Sequence, residues 1–374
     1  MSYFLLYGAP TLNPSNIEYK MDKKASDIVI SRTLYKYLNS MKQQIDEVPS
    51  KWDSVKKYTN PYEYIHTTVP GIKFSICKLK PLSRSYFKMI EICNQMDILE
   101  NYIGTDITTF SLCEGPGGFI EALSYLRNNI NDKYYGMTLL SPDSNVPGWK
   151  KSEMFLKEHK NVFIEKGSSG TGDIFDVNNF KYCYEKYKNS VNIITGDGGF
   201  DFSVDFNKQE QISSKLIVMQ VFYALMMQKY HGHFILKVFD IFTNITIDIL
   251  YLLSSFYEKV WIIKPNTSRY ANSERYIVCK DFKIYDSSIY YDKCLGLFSE
   301  YNTSPDMYLR KILNVKPSYL FINRLEDCNA ILGQQQLETL SNTINMIDNK
   351  SKEKMETIKK NNIQKCVNWC IKNK

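Results

Sequence analysis

The sequence predicts an α/β protein built on a doubly wound, mostly parallel sheet. Three observations support this fold class. Short apolar, β-like runs alternate with helical stretches between residues 107 and 282, and two of the runs end in glycine-rich turns. The last two runs are joined by a loop instead of a helix, so the final strand is expected to run antiparallel to its neighbours.

Seven runs have the length and composition of strands. They are ITTFSLCE (107–114), KYYGMTL (133–139), NVFIEKG (161–167), VNIITGDGG (191–199), GHFILKVFD (232–240), KVWIIKP (259–265) and ERYIVCKDF (274–282). Helices are expected between them near 117–128, 149–159, 209–230 and 243–256. A Ser cap after Pro81 and apolar residues at helical spacing predict a further helix over 83–103.

The 374 residues suit one catalytic domain with appended segments. We expect this domain over 80–300. Residues 1–79, aromatic and polar and interrupted by prolines, are expected to form an N-terminal extension packed on the core, with a helix near 25–46. Residues 301–374 are expected to form a polar, helical C-terminal extension, in which 349–365 is an exposed helix.

Composition excludes several classes. Nine cysteines without a Cys-x-x-Cys pair, and four histidines that do not accompany them, favour reduced thiols and predict no metal site. The chain has no signal-like N-terminus and no apolar run of ~18 residues, which predicts a soluble protein without membrane association. The formal net charge of +7 is compatible with a polyanionic partner but indicates one only weakly.

A glycine-rich turn follows the first strand of the alternating pattern. GPGGF (115–119) lies between that strand and a helix, where a backbone loop without side chains can approach a ligand closely. The spacing differs from the Gly-x-Gly-x-x-Gly of dinucleotide enzymes, which disfavours a nicotinamide or flavin cofactor. A purely structural turn explains GPGGF equally well.

Four charged residues stand out against their local context. Asp197 ends a buried strand, Lys237 interrupts an apolar strand, Glu274 begins a strand, and Lys88 follows Arg84 by one helical turn. Taken singly, each has a plain explanation. The aspartate can cap a turn, the lysine of the strand can extend its ammonium to water, and Glu274 and Lys88 can be ordinary surface charges.

In order along the chain, six motifs resemble those of the FtsJ-like ribose 2′-O-methyltransferases. The similarity extends over about 80–282 and is greatest to the cap-specific messenger RNA branch of eukaryotes and large DNA viruses. The resemblance implies a Rossmann-like fold that binds S-adenosylmethionine. The motifs are SRSYFKMIEI, LCEGPGGF, GTGDI (170–174), TGDGGFDFS, FILKVFD and SRYANSERYIV.

The resemblance also implies roles for individual residues. The catalytic set of the family matches Lys88, Asp197, Lys237 and Glu274. Cofactor contacts match Glu114, Gly115, Pro116, Gly117, Gly118, Phe119, Asp173 and Asp197, and substrate contacts are expected at Arg84, Ser268, Arg269 and Ser273. The chain departs from the family where it has Ser111 in place of an acid, and where the second strand ends without one, since Asp143 comes several residues later. How the cofactor ribose is held is therefore open.

The chemistry gives these residue types a purpose. Methyl transfer to a ribose hydroxyl requires alignment of two reactants and removal of a proton from a very weak acid. We expect Lys237 to be the general base, Asp197 to orient it, and Lys88 and Glu274 to position the network. Burial and Lys88 would lower the pKa of Lys237, whereas Asp197 and Glu274 would raise it.

The resemblance thus predicts an S-adenosylmethionine-dependent RNA ribose 2′-O-methyltransferase that acts on the first transcribed nucleotides of capped messenger RNA. Two alternatives stay open: the same reaction on ribosomal or transfer RNA, and a noncatalytic RNA-binding subunit with the same fold. Expected partners are RNA and other capping or transcription proteins. The expected location is the cytoplasm or nucleus or, for a viral protein, the host cytoplasm or the virion.

Overall fold

The computed structural model describes residues 1–46, 48–143, 146–199, 208–304, 306–349 and 351–373. The strands within these ranges are β1 (Ser2–Leu5), β2 (Ile17–Asp22), β3 (Thr108–Leu112), β4 (Lys133–Met137), β5 (Val162–Glu165), β6 (Val191–Gly196), β7 (Gln228–Val238), β8 (Tyr257–Lys264), β9 (Arg275–Phe282) and β10 (Tyr308–Leu313). The α-helices are α1 (Arg32–Asp46), α2 (Pro49–Thr59), α3 (Ser85–Met96), α4 (Gly118–Arg127), α5 (Glu153–Glu158), α6 (Val177–Tyr187), α7 (Gln209–Met227), α8 (Asn244–Phe256), α9 (Tyr291–Thr303), α10 (Tyr319–Asp348) and α11 (Lys352–Lys372).

An eight-stranded sheet forms the centre of the fold, in the order β1-β8-β9-β7-β6-β3-β4-β5. The five strands β7, β6, β3, β4 and β5 are parallel to one another, and β9 runs antiparallel to both β7 and β8. The predicted α/β class with an antiparallel last strand is confirmed. All seven predicted strands are present.

The eighth strand comes from the N-terminal segment. β1 pairs antiparallel with β8, from Ser2 opposite Lys264 to Leu5 opposite Trp261. Its four residues are too few to show a clear alternation of apolar and polar residues. The sequence therefore predicted seven strands, whereas the sheet has eight. Through β1, the N-terminal segment becomes part of the central sheet.

Helix α7 fills one face of the sheet and is apolar around its whole circumference. Its buried residues include every position from Leu216 to Met227. A helix that is apolar on all sides is typical of a protein core, because no face can be left to water. Among the described helices, each is either too short or too polar to span a membrane.

Helices α3 and α6 differ from the prediction. Helix α3 ends at Met96 instead of continuing to 103, because Asp97 takes a left-handed conformation with φ = 50° that stops the helix. Helix α6, between β5 and β6, was not predicted. The sequence of α6 is mostly polar, so the few residues that it buries, among them Phe180 and Cys183, do not form a recognisable apolar pattern.

The two terminal segments pack on each other as well as on the part of the chain between them. β2 and β10 form a separate two-stranded sheet, and Leu34 of α1 lies against Gly333 of α10. Helix α11 starts exposed, as expected, but its last turns bury Cys366 and Trp369. The proposed domain boundaries at 79/80 and 300/301 stay predictions.

Candidate active site

The site lies where β6 and β7 end and β9 begins. In open α/β sheets, ligands bind beyond the carboxyl ends of parallel strands. Asp197 follows β6 directly, and Lys237 is the penultimate residue of β7. Because β9 runs antiparallel to β7, Glu274 at its start comes to the same edge, and Tyr276 pairs with Lys237 across the two strands.

Lys237 and Asp197 form the first pair of the site. The Lys237 Nζ lies 3.3 Å from the Asp197 Oδ1 and donates to the Asp197 backbone carbonyl at 2.7 Å. Burial opposes the charge of this lysine, but the carboxylates of Asp197 and Glu274 outweigh burial and raise its pKa. In this state Lys237 is therefore an ammonium ion.

Lys88 and Glu274 form the second pair. The Lys88 Nζ, on α3, lies 2.6 Å from the Glu274 Oε1. Burial of the carboxyl opposes its charge, yet Lys88, Lys237 and Arg84 together hold the pKa of Glu274 well below its usual range. Burial also lowers the pKa of Lys88, and Arg84 adds to this effect while Glu274 opposes it. The four side chains thus form a compact group of two cations and two anions.

Tyr276 connects the two pairs. Its hydroxyl donates to the Asp197 Oδ1 at 3.1 Å and accepts from the Lys88 Nζ at 3.4 Å. The side chain is fully buried, and burial followed by the nearby carboxylates raises its pKa well above the usual value. This residue was missed from the sequence. The only signal was the alternation that places it on the same face as Glu274.

The loop before β9 is fixed to α3, which aligns Glu274 with Lys88. Glu91, on α3, accepts from the backbone N–H groups of Asn266 and Thr267 at 2.8 and 3.1 Å. From the other side, the Lys264 Nζ donates to the Glu274 carbonyl at 2.8 Å and to Asn272. The loop is therefore held by two buried polar side chains, one near each end.

All four predicted substrate residues make contacts within the protein, and the first of them, Arg84, donates from Nη2 to the Thr267 carbonyl at 3.5 Å. The Ser268 hydroxyl donates to the Glu274 Oε1 at 2.5 Å, and the Ser273 hydroxyl donates to the Gln209 Oε1 at 2.8 Å. Arg269 makes two hydrogen bonds to Glu63, at 2.9 and 2.6 Å. Their contact with substrate stays a prediction, and the structure gives each a supporting role in the loop.

The glycine-rich turn has the shape of a backbone cradle. Gly117 has φ = 106°, which favours glycine, and a Cβ on Gly118 would lie 2.2 Å from the hydroxyl oxygens of Ser83 and Ser85. A Cβ on Gly115 would lie 2.6 Å from the Pro147 carbonyl oxygen. The turn is therefore close-packed on its protein side, and larger residues would displace its backbone.

Glu114 faces the start of α4. Its Oε1 accepts from the N–H groups of Phe119 and Ile120, at 2.7 and 3.2 Å. Burial and the neighbouring Asp197 raise its pKa to about 8, whereas the two N–H groups lower it. One of its oxygens is thus engaged by the helix, which supports the turn.

The GTGDI motif lies beside the end of β4. Leu140 N–H donates to the Thr171 carbonyl at 2.7 Å, and a Cβ on Gly172 would lie 2.1 Å from the Thr138 carbonyl oxygen. Asp173 accepts from the Phe175 N–H at 2.9 Å. Ser111 is fully buried in β3, whereas Asp143 is exposed. The motif thus joins the sheet edge at which the predicted cofactor residues meet.

Comparison with known proteins identifies the family. The model of the FtsJ-like methyltransferase family matches residues 81–282, more than half of the chain. The chain belongs to the FtsJ-like methyltransferase family. The match begins at Pro81, before α3, and ends with β9, so it includes both charged pairs and the glycine-rich turn. It confirms the resemblance stated from the motifs.

Several known proteins are similar to part of the chain. Cap-specific mRNA (nucleoside-2′-O-)-methyltransferase 1 of Mus musculus is 37% identical over 182 residues, and the Drosophila melanogaster protein is 35% identical over 173. The aligned parts cover 46% and 45% of this chain but only 21% of each relative, so the chain matches about a fifth of their length. Human methyltransferase-like protein 13 aligns over 57% of this chain and 92% of its own, at 8% identity and a TM-score of 0.37.

Proposed function

We propose that this protein is an S-adenosylmethionine-dependent RNA ribose 2′-O-methyltransferase acting on the first transcribed nucleotides of capped messenger RNA. The observation that carries the proposal is the arrangement of Lys237–Asp197 and Lys88–Glu274 around Tyr276 at the carboxyl edge of the sheet. Two cations and two anions held within one family domain suit a reaction that needs both proton removal and alignment.

The site residues fit the cofactor. The glycine-rich turn at 115–118 offers a backbone cradle, Asp173 and Asp197 come to the same sheet edge, and we expect these residues, with Glu114 and Phe119, to hold it. S-adenosylmethionine supplies a methyl group on a cationic sulfur. The acids at the site suit a cation, because opposite charges attract more strongly in a partly buried site than in water.

Proton removal falls to Lys237 in this proposal. As an ammonium ion it cannot accept a proton, so a further positive charge must weaken the hold of Asp197 and Glu274 on it. Lys88 already contributes one cation close by. Asp197 keeps the Nζ of Lys237 oriented through its carboxylate and its backbone carbonyl. The four residues titrate as one unit, so the protonation state is a property of the whole group and not of any one residue.

The capped substrate is inferred from the similarity to cap-specific mRNA (nucleoside-2′-O-)-methyltransferases. A 2′-hydroxyl must enter the site from an exposed strand, because a ribose inside a duplex is held in a groove. A free 5′ end satisfies this requirement. Partner proteins of the capping or transcription machinery and a cytoplasmic or nuclear location belong to the same proposal.

The deciding experiment is a methylation assay with labelled S-adenosylmethionine on RNAs of identical sequence that carry a cap, a 5′-triphosphate, or a cap with a 2′-deoxy first nucleotide. The proposal expects label on the capped RNA, recovery of a 2′-O-methyl nucleoside after digestion, and loss of that product with the deoxy nucleotide. Equal labelling of capped and uncapped structured RNA would favour the ribosomal or transfer RNA alternative. Cofactor binding without turnover on any RNA would favour a noncatalytic subunit.

A further inference from the structure

A cavity of about 450 Å³ opens beside the active site, on the N-terminal side of α3. Its volume lies within the range of ~300–1,000 Å³ that is usual for small-ligand sites. We call it the Phe74 groove. The residues of interest in its lining are His66, Lys73, Phe74, Lys78, Lys80 and Arg84.

The groove is strongly basic. Three lysines and one arginine line it, and none of the described residues in its lining is acidic. The nearest buried acid, Glu63, lies 3.8 Å from the His66 Nε2 but is engaged by Arg269. The unbalanced positive charge favours an anionic ligand.

Two largely buried side chains form the inner wall of the groove. Among the described residues, neither ring nitrogen of His66 makes a hydrogen bond, and neither does the Nε of Arg84, but all three atoms have almost no accessible surface. The donors that a ligand in the groove can reach are therefore the exposed ammonium groups of Lys73, Lys78 and Lys80.

An aromatic ring completes the groove. Phe74 is 58% exposed, and the Lys78 Nζ lies 5.9 Å from its ring centroid. The turn that carries it is fixed by backbone hydrogen bonds from Val69 to Phe74 and from Ile76 to Tyr64. Proteins that bind single-stranded nucleic acid combine such a basic groove with exposed aromatic rings on which bases stack.

The position of the groove specifies its role. Arg84, which directly precedes α3, and Phe87, on α3, line it, and both lie about one turn or less from Lys88. We propose that the Phe74 groove binds the RNA strand next to the target nucleotide, with a base stacked on Phe74 and phosphates held by Lys73 and Lys78. This inference rests on the proposed function and names the part of the protein that guides the strand to its site.

Binding can be measured apart from catalysis. The probe is a capped ten-nucleotide RNA with a 3′ fluorophore, titrated with the full chain by fluorescence anisotropy. The variants are Phe74→Ala and the double variant Lys73→Ala/Lys78→Ala. All three side chains are exposed, so folding should be preserved. Matched controls are Tyr285→Ala and Lys229→Ala/Lys259→Ala, which change exposed residues outside the lining of the groove.

We expect Phe74→Ala to weaken RNA binding about ten-fold, since stacking on one aromatic ring contributes a few-fold to a hundred-fold in affinity. The double lysine variant should lower the slope of log affinity against log salt by about 1.4, because each phosphate contact contributes about 0.7 on single strands. The KM for capped RNA should rise with little change in kcat. The controls should leave all three quantities unchanged.

The outcomes separate the two proposals. If the chain methylates capped RNA and the groove variants match their controls in affinity and KM, the groove assignment is wrong while the proposed function holds. Groove-dependent RNA binding without methylation of any RNA would support the groove and refute the enzyme. If the chain neither binds nor methylates RNA, both proposals fail.

Discussion

The Nζ of Lys237 lies between two oxygens of one residue, the Asp197 carboxylate at 3.3 Å and the Asp197 backbone carbonyl at 2.7 Å. This arrangement fixes the lysine at the end of β7 and leaves its charge partly balanced. The residue that we expect to remove the proton is thus held by the residue that follows the neighbouring strand, β6.

The first prediction concerns this lysine. Lys237→Ala should reduce methyl transfer by about 10³-fold or more, because positioned general bases contribute ~10²–10⁴-fold. Binding of S-adenosylmethionine, measured by calorimetry, should stay nearly intact, and Lys259→Ala, at an exposed position of β8, serves as the control. Retained turnover in the Lys237 variant would remove it from the role of general base.

Tyr276 provides the second prediction. Tyr276→Phe keeps the buried ring but removes the hydroxyl that donates to Asp197 and accepts from Lys88. Asp197 then interacts with Lys237 without a competing donor, so the pKa of Lys237 should rise further. We expect kcat to fall by about ten-fold with little change in KM, since the loss of one buried hydrogen bond costs about 1–2 kcal/mol.

The pH profile distinguishes this role from a structural one. In Tyr276→Phe, the rise of activity with pH should be displaced to higher pH than in the wild type. A purely structural hydroxyl would lower activity equally at every pH. An unchanged profile together with an unchanged kcat would show that Tyr276 does not act through Asp197.

A site residue could be identified from the sequence only where its own segment carried the signal. Asp197 and Lys237 were found because each stands out within its own strand, and α7 was found because its apolar run is long. Tyr276 was missed because its role depends on the register between β7 and β9, and a tyrosine in a strand is ordinary. Local pattern cannot reveal a partner on another strand.

The substrate residues show the same limit. Arg269 was expected to face RNA, but it pairs with Glu63, 206 positions earlier in the chain. The sequence between them gives no sign of this contact. Likewise β1 joins β8 across the whole catalytic region. Pairings between distant segments are decided by tertiary packing, which motif order does not contain.

The Glu63–Arg269 pair gives the third prediction. The Glu63 carboxylate is almost fully buried, and although burial opposes its charge, Arg269 and then His66 lower its pKa below the usual value. Arg269→Ala leaves a buried charge with a single partner at 3.8 Å, the His66 ring. We expect a loss of about 3 kcal/mol in the free energy of unfolding, measured with urea.

A double variant tests this interpretation. Glu63→Gln/Arg269→Ala should be more stable than Arg269→Ala alone, because the uncompensated charge is gone. Arg32→Ala, at an exposed position, is the control for loss of an arginine. The loss of unfolding free energy in the double variant is compared with the sum of the losses in Glu63→Gln and Arg269→Ala measured singly. If the two are equal, the side chains are not coupled and the stability assignment fails.

The last prediction concerns Glu210, at the start of α7. Its Oε1 accepts three hydrogen bonds, from the N–H groups of Phe242 and Thr243 and from the Thr243 hydroxyl, at 2.8–2.9 Å. Burial raises its pKa from 4.5 to about 7, although these donors lower it. An acid whose pKa is higher in the folded state keeps its proton there while the unfolded chain loses it.

The sign of the pH dependence follows from this difference. The contribution of protonated Glu210 is fully present below pH 4.5 and is lost as pH rises to about 7, by roughly 3 kcal/mol over the whole interval. Glu210→Gln keeps an oxygen that can accept all three hydrogen bonds and cannot ionise. The unfolding free energy of this variant should therefore fall less between pH 5 and 8 than that of the wild type. Glu258→Gln, at an exposed position, should behave as the wild type, and a Glu210→Gln variant with the wild-type pH dependence would show that Glu210 does not carry the effect.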